Sequence, residues 1–170
     1  DAKWVVVEGE MEKAIAKYLG YPYVNIPDPF GCCDSWARHF AKVWEDGISA
    51  IGVNDAEIYS NDVLYSEGRF EAFIALALQN IEKSRKVIQK FQESKQSSYI
   101  PFDAICGNCG KIIGIATGFD IENKTIRYVC SGKELAGKYS IEGCGHKGEA
   151  DFNGGKLPWS FEWPAQWLMF

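Results

Sequence analysis

Cys106-Gly-Asn-Cys109-Gly-Lys111, answered downstream by Cys130 and by Gly143-Cys144-Gly-His146, is the stretch on which the reading of this chain turns. Two cysteines two residues apart, with glycine close behind, form a tight knuckle that aims two thiolates at one point. A tetrahedral metal site needs two such pairs brought together by the fold. Four cysteines between 106 and 144 fit a small β-rich zinc ribbon. Cys106, Cys109 and Cys130 are its expected ligands, with Cys144 favoured as the fourth because Cys144-Gly145 mirrors Cys109-Gly110. His146, on the same turn, is the alternative fourth ligand. A closed set of sulfurs leaves no open position for catalysis, so the metal should be structural. A redox Cys-x-x-Cys would normally open a helix, whereas this one precedes β-rich sequence. The expected load is one zinc per chain.

Working outward, the 170 residues are 46% hydrophobic and 14% aromatic, ample for a packed core and unlike a disordered protein. The net charge of -5 is no general magnet for polyanions, so nucleic-acid contact would have to be local. No apolar run reaches the roughly 20 residues that span a bilayer, and no segment resembles a signal peptide. Cysteines in metal-like spacing favour the reducing cytoplasm over a disulfide framework. A chain opening on Asp1 is expected to be a piece of a longer protein.

Upstream, Trp4-Val-Val-Val7 has strand character, and a helix with Met11, Ala14, Ile15, Tyr18 and Leu19 on one face stops at Gly20. Three prolines between 22 and 29 demand an extended loop. Asp34 or Ser35 can cap a helix running to about Asp46, with Trp36, Phe40, Val43 and Trp44 on its apolar face. Ala56–Ser60 reads as a short strand, and one long helix is expected from about Gly68 to Phe91. Strands are expected at 112–117 and 125–129, and Gly154-Gly155 reads as a hinge. His39 has the context of a surface or hydrogen-bonded residue, and Cys32 and Cys33, without a base in sequence, that of buried inert thiols.

Lys156-Leu-Pro-Trp159-Ser-Phe-Glu162-Trp163-Pro-Ala-Gln166-Trp167 has two readings. It is a strand-and-turn plug of core aromatics, or an aromatic wall with a carboxylate that receives a primary ammonium. No phosphate-binding glycine loop, nucleophile elbow or metalloprotease helix occurs.

Taken together, these residues resemble the class I lysyl-tRNA synthetases found mainly in archaea and some bacteria. The resemblance rests on Tyr18-Leu-Gly20, Ile26-Pro-Asp-Pro-Phe-Gly31, Ser35-Trp-Ala-Arg-His-Phe40, the four cysteines, Lys156-Leu-Pro-Trp159 and Glu162-Trp-Pro-Ala165 with Trp167. It covers about residue 18 to the end; Gln166 departs from the arginine usual there. The resemblance implies an α/β fold, part of a Rossmann-type catalytic domain with a helical connective segment and an inserted β-rich zinc ribbon. Residues 1–100 would be the helical and α/β portion, 101–152 the ribbon, and 153–170 the re-entry into the catalytic core.

By the same resemblance the intact protein activates lysine with ATP and Mg2+ and transfers it to tRNA(Lys). Trp159, with Trp163 and Glu162, would line the lysine pocket. The His-x-Gly-His-like and Lys-Met-Ser-Lys-Ser-like signatures that handle ATP are absent from these residues, so no catalytic residue is assigned here. The rival expectation is a free-standing zinc-ribbon module that binds RNA without catalysis.

Overall fold

The computed structural model describes residues 10–91, 98–134 and 140–170. The strand expected at 3–7 and the polar run after Phe91 lie outside the described residues. The chain divides into two compact units, Asp1–Asp62 and Val63–Phe170. Among the described residues no helix is long and apolar enough to cross a membrane.

In the first unit, α1 (Glu10–Ala16) is followed by a proline-rich loop holding one 3-10 turn, Tyr23–Asn25. The loop is anchored by buried Ile26, whose carbonyl accepts the Trp36 N–H at 2.8 Å. Ser35 then caps α2 (Trp36–Ala50), its hydroxyl accepting the Arg38 N–H at 3.3 Å. The helix runs past Gly47, where it was expected to stop, and ends before Gly52, which takes φ +91°. A left-handed residue closes a helix more decisively than a glycine that keeps helical dihedrals. Of the apolar face, Trp36 is buried, whereas Phe40, Val43 and Trp44 are exposed. Ala56–Ser60 forms no strand. The segment leads instead to Ser60 and Asp62, both of which accept hydrogen bonds from the Arg38 guanidinium at 3.0 Å.

α3 (Asn61–Ser66) leads into the second unit, where its Tyr65 stacks on Phe70 with ring centroids 4.1 Å apart. The single long helix expected here is two: α4 (Glu71–Gln79) and α5 (Ile81–Phe91). The break falls at Asn80, which leaves helical dihedrals (φ -104°, ψ 27°) and whose side-chain amide donates to the Leu76 carbonyl at 3.0 Å, beside the ordinary helical bond of its own N–H at 3.2 Å. A short amide side chain that competes for backbone partners weakens a helix interior. Ile74 and Leu78 of α4 are buried, but no residue of α5 is.

The β-rich part is an antiparallel sheet in the order β6-β3-β2-β1-β7. Its strands are β1 (Asp103–Ala104), β2 (Gly114–Asp120), β3 (Thr125–Val129), β6 (Lys147–Asp151) and β7 (Gly155–Lys156). Between β3 and β6, β4 (Lys133–Glu134) pairs with β5 (Ser140–Ile141) in a small ribbon. The β2–β3 hairpin carries a bulge at Thr117, whose hydroxyl donates to the Arg127 carbonyl. Inward alternation buries Ile126 and Tyr128 on β3, and the core is completed by Phe70, Ile74, Leu78, Phe102, Phe152 and Leu157. Glu71 ties helix to sheet, accepting from Lys124 in the hairpin turn at 2.6 Å and from Asn153 at 3.2 Å.

Two expectations change here. Gly154-Gly155 is no hinge: Gly155 belongs to β7 and pairs with Ala104 of β1. A Cβ on it would lie 2.4 Å from the Phe102 ring and 2.5 Å from the Asp103 carbonyl oxygen. The absence of a side chain there serves close packing. The segment after Pro158 is not a strand-and-turn plug but α6 (Trp159–Met169). Pro158 stands just before its first turn, where its carbonyl accepts from the Phe161 and Glu162 N–H groups. Pro164 lies inside and removes only the bond to exposed Ser160, so the helix survives it.

Candidate metal centre and the Trp159 helix

Each half of the cysteine set is a backbone knuckle. After Cys106 the chain turns so that the Cys106 carbonyl accepts the Gly110 N–H and the Cys106 N–H donates to the Lys111 carbonyl, both at 2.8 Å. The other half joins the end of β3 to the loop before β6: the Cys130 carbonyl accepts the Gly145 N–H, and the Cys130 N–H donates to the His146 carbonyl. Gly110 and Gly145 take matching φ values of +73° and +75°, which β-carbon-bearing residues adopt poorly.

The fold thereby brings the sulfurs of Cys106, Cys109, Cys130 and Cys144 within 4.8 Å of one another. The Cys106–Cys144 and Cys109–Cys130 separations are 3.6 and 3.7 Å. These four sulfurs can hold a metal ion. His146 stands outside the group; it supplies its carbonyl to Cys130, and its ring lies 6.1 Å from that of Tyr128.

Burial pushes the Cys130 thiol up to about 12 and raises that of Cys109. Exposed Cys144 goes the other way, to about 6, drawn down by hydrogen bonds from the Asn108 side chain and the His146 backbone. A cation among the sulfurs would supply the positive charge that favours their thiolate forms.

A second group of ligand-type side chains was not anticipated. Asp28, Cys32, Cys33 and His39 of the first unit also bring one ligand atom each within 4.8 Å of the others. Cys32 is exposed and Cys33 half-buried, so the expectation of buried thiols is corrected. The Asp28 carboxylate, fully buried, accepts the backbone N–H groups of Phe30, Cys32 and Cys33. Burial pushes this carboxyl up, but those hydrogen bonds outweigh it and hold it at about 2. A carboxylate, two thiols and an imidazole within twelve residues, flanking a capped helix start, was the available signal; the Cys-Cys doublet hid it by lacking the familiar two-residue gap.

The three residues singled out on α6 are divided by the helix. Trp159 and Trp163 are 62% and 44% exposed, their rings edge-on with centroids 4.5 Å apart. Trp167 continues this exposed row at 77%. Glu162 turns inward and is 4% exposed. Its carboxylate lies 4.0 Å from the Lys156 ammonium and is hydrogen-bonded by Tyr65, whose own oxygen accepts the Leu157 N–H at 2.8 Å.

Burial raises the Glu162 carboxyl above the ordinary glutamate value despite Lys156 and Tyr65. A raised carboxyl binds its proton more tightly folded than unfolded. Its contribution to stability is therefore complete below the ordinary value and lost as pH rises through the folded one. Glu162→Gln should abolish this loss, so wild-type stability should fall relative to the variant across that window and run parallel outside it. Urea titrations of both proteins over a pH series measure the difference; parallel curves throughout would refute the raised carboxyl.

The family of class I (K) tRNA synthetases matches residues 4–170. Lysine–tRNA ligase of Natronomonas pharaonis is 46% identical over 98% of this chain, and that of Haloarcula marismortui 44% over 98%. Lysine–tRNA ligase of Methanocaldococcus jannaschii is 33% identical over 94%. The chain spans only 31%, 31% and 28% of those three relatives. It belongs to the class I (K) tRNA synthetase family.

Proposed function

We propose that the intact protein is a lysine–tRNA ligase and that this chain is its connective and re-entry segment, stiffened by structural zinc. The observation that carries the reading is the 46% identity to a lysine–tRNA ligase running through 98% of the chain. In this reading the protein uses ATP with Mg2+ to activate lysine, passes it to tRNA(Lys), and works in the cytoplasm. The Rossmann-type catalytic core is completed outside these residues. Residues 1–100 are assigned to the helical and α/β portion of the catalytic and connective region, 101–152 to the ribbon and 153–170 to the return to the core.

The four-sulfur group fits zinc. A Zn–S bond of about 2.3 Å in a tetrahedron implies sulfurs about 3.8 Å apart, close to the 3.6 and 3.7 Å separations here. Soft thiolates favour zinc over magnesium or calcium. The ion supplies folding energy only. Cys106, Cys109, Cys130 and Cys144 would hold it, joining β3, the β1–β2 connection and the loop before β6.

On α6, the paired indoles of Trp159 and Trp163 offer π faces and edges on which an alkylammonium chain can lie. Glu162, held by Tyr65 and Lys156, sets the rotation of the helix that presents them. A cation–π contact contributes about 0.5–2 kcal/mol, which is about twofold to thirtyfold in affinity. In the intact protein, Trp159→Ala should raise KM for lysine in tRNA aminoacylation within that range while leaving KM for ATP unchanged. An equal rise in both constants, or none in either, would remove Trp159 from the lysine site.

A further inference from the structure

We propose that the lysine face of α5 binds the phosphate backbone of tRNA, a role that rests on reading the intact protein as a lysine–tRNA ligase. From Lys83 to Lys90 the sequence holds the cations Lys83, Arg85, Lys86 and Lys90 and no carboxylate. The chain as a whole carries a net charge of -5, so this run reverses the sign locally. Lys83, Lys86 and Lys90 follow one another at steps of three and four residues. That spacing puts them on one side of the helix, within about 10 Å along its axis. All three are exposed.

Arg85, on the opposite side of α5, fixes which way the lysines point. Its guanidinium donates to the Tyr99 carbonyl at 2.9 Å, to the Ser98 carbonyl at 3.2 Å and to the Glu82 carboxylate at 2.6 Å. These bonds tie the helix to the chain just before buried Ile100 and Phe102. They also engage Glu82, the one carboxylate of α5. Among the described residues no carboxylate lies within 4.0 Å of the Lys83, Lys86 or Lys90 ammonium. An ordinary solvated face looks different: on α2, Lys42 is balanced by Asp46 one turn on, at 2.9 Å. Lys86 and Lys90 are four residues apart and repel each other.

The character of the face selects its occupant. Unpaired ammonium groups are a poor surface for the rest of the protein to cover, because burying a charge without a partner is strongly unfavourable. An anionic membrane also attracts a basic helix, but interfacial binding needs a broad apolar face beside the charge. On the exposed side of α5 the apolar share is Val87, with Phe91 at the helix end. A polyphosphate asks only for cations at intervals along its length. Lysine meets a phosphate as a mobile point charge, so this face would position the RNA and read no sequence.

Binding of a tRNA(Lys) transcript by the intact protein, measured over a salt series, tests this. The triple variant Lys83→Gln, Lys86→Gln, Lys90→Gln removes the charges at exposed positions with a residue of similar helix propensity, so the fold should persist. Each phosphate contact contributes about 0.7–0.9 to the slope of log K on log salt. Between about 50 and 200 mM salt the wild type should therefore lose about 20- to 40-fold more affinity than the variant. In aminoacylation, KM for tRNA should rise while KM for lysine and kcat at saturating tRNA stay unchanged. The matching Lys83→Arg, Lys86→Arg, Lys90→Arg variant keeps the charges and should keep the wild-type slope. Parallel salt dependence in the wild type and the glutamine variant would overturn the proposal, as would a wild type that binds no tRNA. Binding to phosphatidylserine vesicles that the glutamine variant loses, with tRNA binding unchanged, would give the face to a membrane instead. A wild type that shows the expected slope difference yet attaches no lysine to tRNA would sink the ligase reading and leave this face standing.

Discussion

Cys130→Ser is expected to release the ribbon metal and unfold the β-rich part of the second unit. Cys130 is completely buried at the end of β3 and fixes three things at once. Its sulfur lies 3.7 Å from Cys109 and accepts the Cys144 N–H at 3.5 Å, while its backbone holds both Gly145 and His146. Structural zinc contributes apparent folding free energies of about 10–16 kcal/mol, against about 5–15 kcal/mol for the whole stability of an ordinary domain. Serine supplies no soft ligand and leaves a hydroxyl in a buried, sulfur-lined position. A strong chelator should reproduce the effect on the wild type, and added zinc should reverse it. Circular dichroism melts with and without chelator measure both. A melting temperature that moves by less than about 2 °C on metal removal would show that the sheet stands by its own packing.

The ribbon was legible because its information is local: a two-residue spacing and glycines at the knuckle turns read directly off the chain. The hairpin strands were legible for the same reason, through β-branched residues on either side of a polar turn. What stayed hidden depended on competition between signals. Phe70 to Phe91 shows continuous helical periodicity, yet Asn80 leaves helical dihedrals and splits it, its side-chain amide turned back on the Leu76 carbonyl. Lys156 to Trp167 carries two prolines, which argue against a helix. Pro158 stands just before the first turn, and Pro164 sacrifices a single bond near that turn, so α6 forms regardless.

The Asp28–His39 group was missed for another reason. A carboxylate, a cysteine doublet and a histidine acquire meaning only when a turn and a helix cap bring them together, and the turn depends on the Asp28 side chain itself. The α6 tryptophans were noticed, but sequence could not say that Glu162 faces inward while Trp159 and Trp163 face out. That partition follows from the buried Tyr65 oxygen and the Lys156 ammonium.

Phe102 and Gly155 should behave as one packing unit. Phe102 is 2% exposed, and its ring occupies the space that a β-carbon on Gly155 would need. Phe102→Ala should cost about 3–5 kcal/mol through lost burial and the cavity left behind. Gly155→Ala should cost about 1–3 kcal/mol, at the upper end of that range because the new methyl also meets the Asp103 carbonyl, which the β1–β7 pairing holds in place. The two changes should not add. Removing the ring opens room for the methyl, and the methyl fills part of the cavity, so the double variant should be more stable than the sum of the single costs by roughly 0.5–3 kcal/mol. The residual cost in the double variant should reflect the Asp103 carbonyl, which neither substitution moves. Urea unfolding of all four proteins in the presence of saturating zinc gives the cycle. Additivity within about 0.3 kcal/mol would mean that β7 shifts away from β1 to accept the methyl and that the ring does not set the spacing of the two strands.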